Sequence, residues 1–313
     1  MTTSVIQDIL KIKKQKNALI IAHYYQEAEI QDLADYVGDS LGMALYAKKT
    51  AAPLVAVCGV RFMAESIKAM NLEKKVVLPD SNAGCSLADS CTPAVFAYFK
   101  SKYPDAFVMT YVNSSLEIKA MSDVIVTSSN AVDIAKKIPK GRKIIFGPDQ
   151  HLGRYVAKQA GRELILFPGN CFIHTSFSAE AMMALKLQHP DALIVAHPEC
   201  EEVVLSHADK IGSTSQLLEF TRTNAALKFI VMTEPGIIHQ MRKLSPQKTF
   251  LEGPDLTGCA CNVCPHMRLN TLAKLAACLQ DESPEILIDP VLAREALRPL
   301  ERMVAMTTSP STP

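Results

Sequence analysis

Nine cysteines are spread along this 313-residue chain, and three of them, Cys259, Cys261 and Cys264, fall within six residues. Gly258, Asn262 and Pro265 surround them, so residues 258–267 read as a turn-rich loop. Thiols packed this closely hold a metal, pair as a disulfide or work as a redox couple. Disulfide frameworks belong to short secreted chains, so an odd cysteine count in a long chain points to reduced thiols or metal ligands, and to the cytoplasm. Cys85 and Cys171 lie in two further glycine-containing loops, Asn82-Ala-Gly-Cys85 and Phe167-Pro-Gly-Asn-Cys171. Cys58 and Cys278 sit in apolar segments and read as core residues. Cys91 and Cys200 carry no assignment at this stage.

A second set of chemically capable residues recurs in register. Three apolar strands open with related words: Ala18-Leu-Ile-Ile-Ala-His23, Ala106-Phe-Val-Met-Thr-Tyr111 and Ala192-Leu-Ile-Val-Ala-His197. Two residues beyond each end come Tyr25, Asn113 and Glu199, and 17 residues beyond come Ser40, Ser128 and Thr214. Imidazoles, a carboxylate and phenols move protons. Hydroxyls beside free N–H groups at helix starts bind carboxylates and phosphates.

The elements that position these groups follow from the same repeat. Each strand follows a helical pattern (residues 5–16, 94–102 and 179–188) and leads into a turn, a hydroxyl-rich ending and another helical pattern (41–49, 131–137 and 216–223). Repeats one and three add a buried strand, residues 54–57 and 229–232, whereas repeat two is expected to skip that unit. All three are expected to end in a strand running into Pro-Asp, at Pro79-Asp80, Pro148-Asp149 and Pro254-Asp255. Continuously apolar strands alternating with helices mean parallel sheets buried on both faces. The expected fold is α/β: three similar three-layer α-β-α domains with parallel sheets around a pseudo-threefold axis. The expected boundaries are residues 1–88 with the Cys85 loop, 89–178 with the Cys171 loop, 179–263, and 264–313 with the Cys264 loop, C-terminal helices and a disordered tail from Thr307. Ligands bind beyond the C-terminal ends of such strands, so one site at the junction of three domains is expected.

Composition narrows the function. A formal net charge of +1 excludes bulk attraction to nucleic acid, and no apolar run approaches the roughly 18 residues that span a bilayer. The first 17 residues mix Ile and Leu with four lysines, an amphipathic helix and not a signal peptide. A thiolate from each domain meeting at one axis makes a three-cysteine site with an open fourth position, which fits an iron–sulfur cluster. Zinc is the rival on cysteine count. Three classes therefore stay open: an iron–sulfur enzyme, a zinc-dependent aldolase or hydrolase on a phosphorylated small molecule, and a non-catalytic iron–sulfur redox sensor.

The assembled words resemble the quinolinate synthase family of bacterial NAD biosynthesis. They include Ile21-Ala-His-Tyr-Tyr-Gln26, Gly38-Asp-Ser-Leu41, Thr110-Tyr-Val-Asn-Ser114, Gly147-Pro-Asp-Gln150, His197-Pro-Glu199, Gly212-Ser-Thr-Ser215 and Cys264-Pro-His-Met-Arg268. The resemblance implies condensation of iminoaspartate with dihydroxyacetone phosphate to quinolinate, with an aspartate oxidase or dehydrogenase supplying the iminoaspartate. It implies a [4Fe–4S] cluster on Cys85, Cys171 and Cys264, which corrects the repeat's own pairing of Cys85 with Cys259. It implies catalytic roles for Tyr25, Glu199, His23, Tyr111 and His197. Substrate binding falls to Asp39, Ser40, Asn113, Ser128, His174, Ser213 and Thr214.

Overall fold

The computed structural model describes residues 2–257 and 262–308. Cys259 and Cys261, and with them part of the loop singled out above, lie outside the described residues. Twelve strands among the described residues form three four-stranded parallel sheets. The first holds β1 (Ala18–His23), β2 (Tyr36–Gly38), β3 (Leu54–Cys58) and β4 (Lys75–Val77). The second holds β5 (Phe107–Tyr111), β6 (Val124–Val126), β7 (Ile144–Gly147) and β8 (Ile165–Leu166). The third holds β9 (Leu193–Ala196), β10 (Lys210–Ile211), β11 (Lys228–Met232) and β12 (Thr249–Glu252). Every sheet runs second, first, third, fourth strand, with helices between. β1, β3, β5 and β7 are buried along their whole length, because helices cover both faces.

The registers explain the constant spacing. His23 pairs with Gly38, Tyr111 with Val126 and Ala196 with Ile211, a constant offset of 15 residues, so the hydroxyls two or three residues past the second strand fall just beyond the ends of the first. An aspartate locks each pairing. The carboxylates of Asp35, Asp123 and Asp209 accept hydrogen bonds from the N–H groups of Ile20, Val108 and Ile194, at 2.7–2.9 Å.

Repeat two does not skip a strand. β7 pairs with β5 as β3 pairs with β1, so Ile144–Gly147 is the third strand and not the last. The last is β8, two residues long, which the apolar pattern is too short to reveal. A basic residue shortly before each fourth strand marks the true equivalence. Lys74, Arg162 and Lys248 donate to the carbonyls that end the helices Ser40–Lys49, Ala131–Lys137 and Thr214–Thr223. The cysteine loops therefore follow corresponding strands: Cys85 after β4, Cys171 after β8 and Cys264 after β12.

Repeats one and two share one apolar core, whereas repeat three packs around its own. The C-terminal helix Pro290–Thr308 crosses the first two, against the helices Arg61–Met70 and Leu116–Ala120 and against β6. The helix includes Thr307, expected to begin the tail, and its hydroxyl takes a 2.9 Å bond from Asn130 Nδ2; residues 309–313 of that tail lie outside the described residues. No helix among the described residues is long and apolar enough to cross a membrane.

Candidate active site

The C-terminal ends of the three sheets enclose a cavity of about 380 Å³, lined by all three repeats. The first strands bring in His23 and Tyr111, with His197 one residue past the end of β9, and the residues two on are Tyr25, Asn113 and Glu199. The second-strand turns bring in Asp39, Ser40, Ser128 and Thr214. The fourth-strand loops bring in Cys85, Cys171 and Cys264, and His174 comes from the short helix Phe172–Thr175. Ser213 is the one expected site residue outside this lining. Its hydroxyl accepts from Gln216 N–H while the Gln216 side chain accepts from Ser213 N–H, a reciprocal helix cap. Asp39 binds within the wall: it accepts from Gly42 N–H at 2.8 Å and from the Ser215 hydroxyl of repeat three at 2.7 Å.

Deep in the cavity a run of close polar contacts connects all three repeats. The Tyr25 hydroxyl lies 2.8 Å from Thr233 Oγ1, and that oxygen lies 2.9 Å from His174 Nε2. His174 Nδ1 is 3.3 Å from Glu199 Oε2, which is 3.1 Å from His197 Nδ1. His197 Nε2 then reaches Ser128 Oγ, at 3.2 Å. Thr233 was not visible as a site residue in the sequence. It follows β11 directly, where Gly59 follows β3 and Pro148 follows β7, so no repeated hydroxyl marks the position. Gly236 lets this segment close on repeat one, because a Cβ there would sit 2.8 Å from Tyr25 Cα and 2.9 Å from the Tyr24 carbonyl.

Burial sets the protonation states. It lowers His23 to about 3, helped by His197, and lowers His174 and His197 to about 3 as well. All three are neutral near pH 7. His23 Nδ1 accepts from Tyr25 N–H at 3.2 Å, which leaves the ring proton on Nε2. Burial raises Glu199 above the usual carboxylate range and only partly yields to His174. Burial likewise pushes the Tyr25 and Tyr111 phenols well above 10. Such a set exchanges protons without carrying fixed charge.

The thiols fit a metal-bound group. Cys85, Cys171 and Cys264 come from three separate loops, all unpaired, and each faces the same cavity. Burial raises Cys85 to about 12 and raises Cys171 and Cys264, so a cation is what would make thiolates of them here. Glu199 Oε1 is buried without a hydrogen-bond partner, which leaves it available to whatever the cavity binds. Cys58, Cys91, Cys200 and Cys278 are buried in apolar clusters and do not line this cavity.

The family profile described as "Quinolinate synthetase A protein" matches residues 7–305. The chain belongs to the quinolinate synthetase A family. The chain is similar to the quinolinate synthase of Microcystis aeruginosa, 54% identical over 299 residues that cover 96% of this chain and 94% of that one. It is also similar to that of Cyanophora paradoxa, 53% identical over 303 residues and 97% and 92% of the two chains. That of Synechocystis is 54% identical, with 96% and 94% covered. Membership of the quinolinate synthetase A family makes the chain an enzyme, and the thiols support a metal cofactor.

Proposed function

We propose that the chain is a transferase that condenses iminoaspartate with dihydroxyacetone phosphate, giving quinolinate, phosphate and two waters. The observation that carries this is the buried run from Tyr25 through Thr233 and His174 to Glu199, placed beside three thiols in a cavity ringed by helix starts. Both substrates are anions. Ser40 and Thr214 begin their helices, and Ser128 lines the same cavity against His197, which suits carboxylate or phosphate oxygens. Asn113 and Tyr111 add a neutral amide and phenol for orientation.

Ring formation needs protons removed from carbon and delivered to leaving oxygens. Glu199, whose proton affinity burial raises, takes a proton, and neutral His174 passes it across Thr233 to the Tyr25 hydroxyl. Tyr25 stays protonated until its proton is called for, because burial disfavours the phenolate. His197 holds Glu199 and Ser128 in register. A [4Fe–4S] cluster on Cys85, Cys171 and Cys264 would supply Lewis-acid activation of a departing hydroxyl through its open iron.

Anaerobically reconstituted protein, given iminoaspartate and dihydroxyacetone phosphate, is expected to yield quinolinate and phosphate in equal amounts. Failure to form quinolinate with the cluster present would overturn the reading. A second reading rests on Cys171, His174 and Glu199, whose ligand atoms all lie within 4.8 Å of one another and could hold zinc for an aldolase or hydrolase. Metal analysis separates the two: iron with sulfide in a brown protein, or zinc in a colourless one.

A further inference from the structure

The threefold repeat aligns one further position at the third-strand ends. Cys58, Gly147 and Met232 stand opposite Ala22, Thr110 and Ala196, so Val60, Asp149 and Glu234 are equivalent residues. Two of the three are carboxylates, and both are fully buried. Each reaches the cysteine loop of its own repeat. Asp149 Oδ2 accepts from the Cys171 N–H at 3.1 Å, and Glu234 Oε1 accepts from the Cys264 N–H at 3.3 Å. The opposite oxygen is also occupied: Asp149 Oδ1 accepts from Leu152 N–H at 2.7 Å, and Glu234 Oε2 from Gly236 N–H at 2.7 Å. Arg268 steadies Glu234 from one side, its Nη2 at 3.2 Å from Oε1, while Nη1 binds Glu27 at 2.9 Å. Val60 offers no acceptor, so the Cys85 arm lacks this support.

We propose that Asp149 and Glu234 are positioning residues that fix the backbone of two cluster-binding cysteines, Cys171 and Cys264, and leave the Cys85 arm unclamped. The proposal rests on the assignment of those cysteines as ligands. A carboxylate can accept on both oxygens at once, whereas an amide of the same shape accepts on only one. Asp149→Asn and Glu234→Gln therefore preserve volume and break one of the paired bonds. Outer-shell partners of this kind change metal retention by about 10–100-fold when altered.

The experiment measures iron release to a chelator from anaerobically reconstituted protein, beside the melting temperature of each apoprotein. Both variants are expected to release iron about 10–100-fold faster than the parent. Asp35→Asn, which breaks an equally local bond to Ile20 N–H far from the cysteine loops, is expected to release it at the parent rate. Parent-like release from both carboxylate variants would overturn the proposal. Amide exchange in ¹⁵N-cysteine-labelled parent apoprotein provides a test that needs no variant: the Cys171 and Cys264 N–H groups are expected to exchange more slowly than that of Cys85. Equal exchange would overturn it. A parent that takes up no cluster would defeat the ligand assignment instead, and the exchange comparison would still decide the clamping.

Discussion

At the residue scale the site depends on one hydroxyl that the repeat does not announce. Thr233 Oγ1 touches both the Tyr25 hydroxyl and His174 Nε2, so it is the only described atom bridging the two. Thr233→Val keeps the shape and removes the bridge. The expected result is a fall in kcat of about 100- to 1,000-fold, the scale of one lost acid–base relay, with KM and iron content unchanged. Steady-state kinetics with iron analysis checks it. The neutral histidines give a second prediction. His23, His174 and His197 sit at about 3, below the value of about 6.5 in an unfolded chain. Between those values the unfolded chain binds more protons, so their burial costs stability progressively as pH falls from about 6.5 towards 3 and costs none above. His23→Gln is expected to flatten that part of the apoprotein's stability-against-pH curve, measured by denaturant midpoints, and to leave the slope above pH 7 alone.

At the element scale, much of the architecture was legible because buried parallel strands are continuously apolar and because the spacing of 17 reflects a fixed register. Ala18–His23 and the helix Ala179–Gln188 fall where the pattern puts them. β8 was not legible, since two residues carry no period, and its absence shifted the repeat alignment onto Pro148-Asp149. Of the expected site residues, those at strand ends gather in one cavity because strand ends are what the sheets align. Ser213 does not, because its hydroxyl is used in a helix cap. The repeated cation before each fourth strand was hidden among surface lysines, although Lys248 is only 8% exposed. Its ammonium donates to the carbonyls of Thr221 and Asn224 at 2.6 Å. Lys248→Met leaves those carbonyls without a donor and is expected to lower stability by about 2 kcal/mol, with an unchanged denaturant slope.

At the scale of the whole molecule, no repeat contains a complete site. Repeat one contributes Tyr25, repeat two Cys171, His174 and Ser128, and repeat three Thr233, Glu199 and His197. Repeats one and two are fused by a common apolar core and the C-terminal helix, but repeat three meets them largely through polar contacts such as Asp39–Ser215 and Gln216–Ser129. A group held by Cys85, Cys171 and Cys264 would therefore add covalent-strength linkage where apolar packing is thinnest, and anything that binds the folded state alone raises its melting temperature. Chelating the metal from the parent under anaerobic conditions is expected to lower its calorimetric melting temperature by several degrees, with roughly 1.5 °C for each 1 kcal/mol in a chain of this size. Cys85→Ala, which removes one arm, is expected to melt with the chelated parent whether or not iron is supplied. Cys278→Ala, altered inside a core contact of the helix Leu272–Asp281, is expected to keep the chelator-dependent shift while losing stability in both forms. If chelation moved Cys85→Ala as far as the parent, the three-armed arrangement would be wrong.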